Sequence, residues 1–371
     1  MTDNSLDKAC GIRNIDCIDS PALIVYEDKV RDNIRMAISM AGDPSRLRPH
    51  VKTHKMGHVC RMMMEEGISR FKCATIAEAE MLAMEGAPDV LLAYQPVGPK
   101  IDRLRRLIEA YPDTDFSCLL DREDNALAVN KTFEGMSKLN VFIDINVGMN
   151  RTGGDIPSSI GLAKYMGDLN NIHLKGLHGY DGHIHHTGLD DRQRASDVSF
   201  AVLDEVYHAL DAFCQYPLVR VMGGTPTFPL HIRRPEVECS PGTFVFWDWG
   251  YRQEFPDLPF QYAALVIGRV VSIIDHSRIC IDMGYKSIAS ENPMPRVHFL
   301  NAPDIIPLAQ SEEHLVAETD GSRRYPVGSV LYGVPTHICP TVALYEKAFV
   351  VRDREIKTTW PVNARDRYIN I

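Results

Sequence analysis

The sequence predicts an α/β barrel followed by a smaller, mainly antiparallel β domain. Three observations carry this. Between about residues 20 and 225, short aliphatic runs alternate with helical patterns. Beyond about residue 260 the helical periodicity stops while short strand-like runs continue. The length, 371 residues, suits one very large domain or two ordinary ones.

The aliphatic runs are Ala22 to Val25, Leu47 to Lys52, Arg70 to Ala74, Val90 to Ala93, Asp115 to Leu120, Val141 to Val147, Ile172 to Leu177 and Leu218 to Met222. Eight such runs with helices between them indicate parallel βαβ units. A closed (β/α)8 barrel of the TIM type is the favoured reading, and an open doubly wound sheet the alternative. The clearest helix is Asp190 to Phe213, where Val202, Leu203, Val206, Leu210 and Phe213 share one face. Further on, Leu265 to Ile274 and Arg278 to Met283 flank Asp275-His276-Ser277, a hairpin signal. Short strands are expected around Gly328 to Gly333, Val342 to Leu344 and Phe349 to Val351. The expected division is a barrel over 17–260 and a β domain over 261–371, which residues 1–16 join.

Hydrophobic residues make up 45% and charged residues 24%, with a formal charge of −9. No basic block suggests a nucleic-acid or membrane surface. No apolar run approaches the ~20 residues of a membrane helix. The first residues lack a basic-then-apolar export pattern. Nine scattered cysteines without a Cys-x-x-Cys pair read as free thiols in a reducing cytoplasm.

Lys52 stands in Arg48-Pro49-His50-Val51-Lys52-Thr53-His54-Lys55, at the end of the second run. Barrel enzymes place their chemistry at the C-terminal ends of strands, and a buried lysine there is suited to bond an aldehyde cofactor. Taken alone, the segment is better read as a basic surface loop. The whole segment, however, resembles the pyridoxal phosphate (PLP) lysine motif of the D-threonine aldolase and D-serine dehydratase family. These are fold-type III PLP enzymes whose barrel is related to that of alanine racemase. The resemblance runs from Asp19-Ser20-Pro21-Ala22-Leu23 to the C-terminal domain, with several motifs in order. It implies a PLP-binding barrel, with Lys52 as the covalent anchor.

The resemblance also assigns the cofactor's other partners. Gly223-Gly224-Thr225 and Ser240-Pro241-Gly242-Thr243 follow late strands and resemble the family's phosphate loops. Glycines and hydroxyls suit that task. Arg151, in Gly148-Met149-Asn150-Arg151-Thr152-Gly153, matches the arginine that faces the pyridine nitrogen. A permanent cation there disfavours protonating that nitrogen. Tyr180 resembles the aromatic residue packed beside the cofactor. Without the resemblance, each of these residues also fits an ordinary turn, ion pair or packing role.

His337 and Cys339 stand two apart in Pro335-Thr336-His337-Ile338-Cys339-Pro340-Thr341. On an extended strand they would point the same way, and both are good zinc ligands. They match the family's metal pair, in which dehydratase-type members carry Cys second and well-known aldolases carry Asp. Zinc is therefore the expected metal, with Mn2+ or Mg2+ as alternatives. His183, His185 and His186 cluster nearby in the sequence of the barrel. His186, six residues after Tyr180, matches the aldolase histidine that receives the substrate hydroxyl proton. Asp181 departs from the family, where His is frequent.

The metal pair leans to dehydratase and His186 to aldolase. The reading adopted is a PLP- and metal-dependent lyase that cleaves β-hydroxy D-amino acids to glycine and an aldehyde. The alternative is elimination from D-serine or 3-hydroxyaspartate to a keto acid and ammonia. An amino-acid racemase or a non-catalytic PLP-binding protein ranks lower. The resemblance further implies a homodimer and a small D-amino acid as substrate.

Overall fold

The computed structural model describes residues 10–211 and 213–371. They form two compact units. The barrel unit comprises Ala37–Lys52, Val59–Gly242 and Asp366–Ile371. The β unit comprises the described residues up to Met36, Thr53–His58 and Thr243–Arg365. The division thus falls at Gly242/Thr243, earlier than the sequence suggests, and the chain's first strand belongs to the β unit.

Seven parallel strands run in sequence order in the barrel unit. They are β2 (Arg70–Cys73), β3 (Asp89–Leu92), β4 (Asp115–Leu120), β5 (Leu139–Ile145), β6 (Ile172–Gly179), β7 (Val219–Met222) and β8 (Val237–Glu238). The extended segment Leu47–His50 closes the ring. Leu47 bridges Cys239 beyond β8, and His50 bridges Lys72 in β2. The backbone N–H of Arg48 donates to the Cys239 carbonyl at 2.8 Å, and that of Lys72 to the Pro49 carbonyl at 2.9 Å. The closed barrel is therefore correct, but two strands differ from expectation. Ala22 to Val25 is not a barrel strand. Its place in the count is taken by β8, a two-residue strand too short to give a hydrophobic run.

Inside the barrel, Leu91, Leu119, Phe142 and Val221 form one buried cluster. An ionic layer accompanies it. The fully buried Arg48 donates to Glu238 at 2.7 Å and to Asp89 at 2.5 Å. Arg70 also reaches Glu238, and Lys175 reaches Asp89 and Asp115, at 2.6–2.8 Å. Buried charges persist only when paired in this way. The long helix runs Leu189–Asp211 with Leu203, Val206 and Leu210 buried. Phe213, expected on its face, lies beyond its end and is half-exposed.

In the β unit, β1 (Ala22–Tyr26) is buried at every position. It pairs parallel with β15 (Lys347–Arg352) and antiparallel with β9 (Ala264–Ile273). The β9 strand forms the expected hairpin with β10 (Arg278–Ile281). The sheet also holds β11 (Val297–Phe299), β12 (Ile306–Gln310), β13 (Leu315–Glu318), β14 (Val330–Pro335) and β16 (Glu355–Pro361). Cys10, Ile12 and Ile18 pack on its core beside Tyr332 and Val334, so the described part of 1–16 joins this unit. Val342 to Leu344 is not a strand. Val342 ends a short helix, Ile338–Val342, because the chain turns immediately after β14.

Candidate active site

Lys52 lies in a single helical turn, Val51–Thr53, directly after the segment that closes the barrel. Its backbone N–H donates to His50 Nδ1 at 3.3 Å. Arg151 follows β5 on a loop organised by Asn146. That side-chain carbonyl accepts the N–H groups of Gly148 and Asn150 at 3.1 and 3.0 Å. Tyr180 directly follows β6. A Cβ at Gly182 would fall 2.3 Å from its ring, so only glycine lets the chain fold back over it. Lys52, Arg151, Asp144, Tyr94 and Leu119 line one cavity of about 560 Å3, a size common for small-molecule sites.

Three basic side chains face the Tyr180 ring. Arg151 Cζ lies 5.0 Å from its centroid, Lys72 Nζ 5.6 Å and Lys52 Nζ 5.9 Å. Lys72, a residue the sequence reading passed over, is buried within β2. Its Nζ lies 3.2 Å from His178 Nε2, and His178 Nδ1 lies 2.7 Å from Asp144 Oδ1. The carboxylate can only accept, so Nδ1 carries the proton and Nε2 accepts from Lys72. Burial and then the charge of Lys52 bring the Lys72 amine down to about 7. Burial and the Lys72 charge also lower His178. Burial alone would raise Asp144, but its hydrogen bonds with His178 and Thr152 and the charge of Lys72 hold it low.

The two glycine loops meet. The Gly223 carbonyl accepts the N–H of Ser240 at 2.9 Å. The N–H of Gly242 donates to Thr225 Oγ1 at 3.0 Å, so that donor is engaged within the protein. Gly223 has φ +94°, and a Cβ there would meet His231 at 3.0 Å. Behind the loop, Asp181 Oδ1 accepts from Thr227 at 2.9 Å and from Gly224 at 3.4 Å, while Asp181 Oδ2 lies 2.7 Å from His231 Nε2. Ser240 Oγ is buried and makes no hydrogen bond in the protein. An unused donor at the junction of two glycine loops fits a phosphate oxygen, so the residues present fit PLP.

His186 is exposed on the loop after β6. Its carbonyl accepts from Arg192 at 3.2 Å, and it is not among the residues lining the Lys52 cavity. Thr243, expected with Gly242, belongs to the β unit, where its Oγ1 lies 3.5 Å from Cys339 Sγ.

In the β unit, His337 and Cys339 do come together, though not by strand alternation. His337 is the residue before the helix Ile338–Val342, and Cys339 lies in its first turn. Thr53 Oγ1 stands 3.2 Å from Cys339 Sγ, and Glu291 Oε1 stands 2.8 Å from His337 Nδ1. Burial acts to lower the imidazole, but the hydrogen bond and charge of Cys339, then Asp248 and Glu291, lift it to about 9. Among the described residues, no three His, Cys, Asp or Glu side chains converge as a metal site. Imidazole and thiolate with a carboxylate behind the histidine still match an open, partly hydrated metal site.

Residues 25–248 match the family model "Alanine racemase, N-terminal domain". The chain belongs to this family. Residues 263–351 match a second model, "Putative serine dehydratase domain". The D-threonine aldolase of Arthrobacter sp is 25% identical over 357 residues, covering 94% of this chain and 93% of that one. The 3-hydroxy-D-aspartate aldolase of Paracoccus denitrificans (strain Pd 1222) is 28% identical over 367 residues, with coverage of 94% and 93%. The crystal structure of D-threonine aldolase from Filomicrobium marinum superposes with a TM-score of 0.88 at 24% identity, covering 95% and 96% of the two chains. The resemblance read from the Lys52 segment is thus borne out, and with it the alanine racemase-type barrel joined to a mainly antiparallel domain. No helix among the described residues is long and apolar enough to cross a membrane.

Within this alanine racemase-type barrel, the sequence reading found Lys52, Arg151 and Tyr180 but missed Lys72, His178 and Asp144. A signal existed. Lys72 interrupts a strand whose neighbours Phe71 and Cys73 are both fully buried, and a charge in such a strand demands a partner.

Proposed function

We propose that this chain is a PLP-dependent lyase for β-hydroxy D-amino acids, cleaving them to glycine and an aldehyde. One observation carries the proposal: Lys52 and Arg151 line a single cavity at the ends of barrel strands, in a barrel whose joined glycine loops leave the Ser240 hydroxyl unused. Two relatives matched over 94% of the chain, named as aldolases of D-threonine and of 3-hydroxy-D-aspartate, support the substrate class. PLP supplies an electron sink for a bond broken at the α-carbon.

The chain's own residues divide the remaining work. Lys52 anchors the cofactor through its amine. Gly223, Gly224, Thr225, Ser240 and Gly242 hold the phosphate. Arg151 faces the ring nitrogen and, as a fixed cation, keeps a proton off it. Tyr180 packs against the ring. His186, exposed on the loop after β6 and outside the cavity lining, is assigned the substrate hydroxyl proton by the family resemblance alone. His337 and Cys339 hold a divalent metal, with zinc favoured by the thiolate; such a metal supplies Lewis acidity. The family layout supports a homodimer, and nine cysteines that form no disulfide among the described residues support a reducing compartment such as the cytoplasm.

A second reading, elimination to a keto acid and ammonia, is favoured by Cys339 and by the serine dehydratase match over 263–351. Product analysis decides between the two. Protein supplied with PLP and a divalent metal is given D-threonine. Glycine and acetaldehyde are expected; 2-oxobutanoate and ammonia would establish the elimination instead.

A further inference from the structure

Lys72 has no place in the cofactor reading, yet its side chain is buried among the barrel strands. Its side chain is shut inside β2, with 3% of the residue exposed. Its amine lies 3.2 Å from His178 Nε2, and the far nitrogen of His178 is tied to Asp144. The charged groups acting on it are Lys52, Arg48, Asp144 and Asp181, with Arg151 facing the same Tyr180 ring. Arg48 is already neutralised by Glu238 and Asp89, while Asp181 accepts from His231 and keeps its charge. That leaves three basic groups, Lys52, Lys72 and Arg151, around one aromatic ring, with two anions, Asp144 and Asp181, acting on them. Such crowding is relieved only if one cation gives up its proton. Arg151 cannot. Of the two lysines, Lys72 is the one whose amine burial and Lys52 bring to about 7.

The coupling has a direction. Lys52 must lose its proton before its nitrogen can bond to an aldehyde carbon. When its charge goes, the strongest charge opposing protonation of Lys72 goes with it. We infer that Lys72 is a positioning residue for Lys52, receiving the proton that Lys52 gives up. Lys52–NH3+ and Lys72–NH2 become Lys52–NH2 and Lys72–NH3+. One proton moves, the total charge is unchanged, and Lys52 keeps the electron pair it needs. His178 Nε2 accepts an N–H of the new ammonium, and Asp144 stabilises the charge through the Nδ1 proton. The catalytic meaning rests on Lys52 being the cofactor lysine; the proton coupling between the two lysines does not.

The test uses the full chain without cofactor, labelled with 15N-lysine, and follows the side-chain Nζ signals by NMR across pH. The Lys72 signal is the one lost in Lys72→Met. In the parent it titrates near neutrality. In Lys52→Met, or Lys52→Gln if the first does not fold, its midpoint rises by about one pH unit or more, a tenfold gain in proton affinity. Lys52→Arg, which keeps the charge, leaves it in place. An ordinary lysine midpoint in the parent, or the same midpoint with and without the Lys52 charge, overturns the inference. A second readout is the rate at which added PLP develops visible absorbance. Lys72→Met slows this about tenfold at neutral pH and recovers as pH rises; an unchanged rate rejects the proton transfer. Failure of parent and variant alike to take up PLP would reject the proposed function while leaving the titration result standing.

Discussion

His231 Nε2 lies 2.7 Å from Asp181 Oδ2, and Arg234 donates to the opposite ring nitrogen at 2.6 Å. An arginine cannot accept, so His231 Nδ1 is bare and Nε2 carries the proton to the carboxylate. Asp181 in turn holds Thr227 and the Gly224 N–H. The Asp181 that departs from the family's frequent His is thus a brace for the glycine loop.

Breaking that brace should weaken cofactor binding and the fold together. His231→Leu removes one hydrogen bond from a buried carboxylate that keeps only Thr227 and Gly224, a change costing about 1–3 kcal/mol. PLP affinity should fall at least roughly tenfold as the loop loosens; unchanged affinity by absorbance titration would show that Asp181 does not set the loop. Burial would raise the Asp181 carboxyl, but His231, Thr227 and Gly224 hold it below its ordinary value. A lowered carboxyl stabilises the fold fully above about pH 4. That stabilisation is lost as acid carries the pH down through the folded value. Parent and Asp181→Asn should therefore differ in stability at neutral pH and converge in strong acid.

The Arg48 layer makes a separate prediction about the barrel. Burial would lower this guanidinium, but Glu238 and Asp89 raise it. Arg48→Met removes the fully buried cation that both carboxylates share, leaving Glu238 to Arg70 and Asp89 to Lys175, at the point where Leu47–His50 closes the ring. The expected loss is about 3–5 kcal/mol, seen as a lower denaturant midpoint. Replacing Arg48, Glu238 and Asp89 together with apolar residues should recover much of it. A single variant as stable as the parent would mean that the layer does not hold the ring shut.

Glu291 offers a test of the metal pair that spares both ligands. A carboxylate on the far nitrogen of a ligating histidine orients the ring and raises its basicity. Glu291→Gln should weaken divalent-metal binding about 10–100-fold, measured by competition with a chromogenic chelator. Cys339→Ala should abolish it at micromolar metal. Equal binding by parent and Cys339→Ala would remove the pair from the account.

The sequence made the site legible where a motif is continuous along the chain. Lys52, Arg151, Tyr180 and the two glycine loops each sit in a short, recognisable segment after a strand. Partnerships across strands were not legible. Lys72, His178 and Asp144 come from β2, β6 and β5, and nothing in one segment announces the other two. Strand assignment failed for a related reason. Ala22 to Val25 is apolar on both faces, as a central strand of either unit would be, while Val237–Glu238 owes its place to closure with Leu47–His50. At His337 and Cys339 the convergence was foreseen on wrong grounds. A strand that gives way to a helical turn brings them together, and alternation plays no part.

The most direct test of the central claim is to reduce the PLP-loaded protein with borohydride and locate the pyridoxyl group by peptide mass spectrometry. The account predicts one group, on Lys52, absent from Lys52→Ala. Modification of Lys72 or Lys55 instead, or no modification at all, would contradict it.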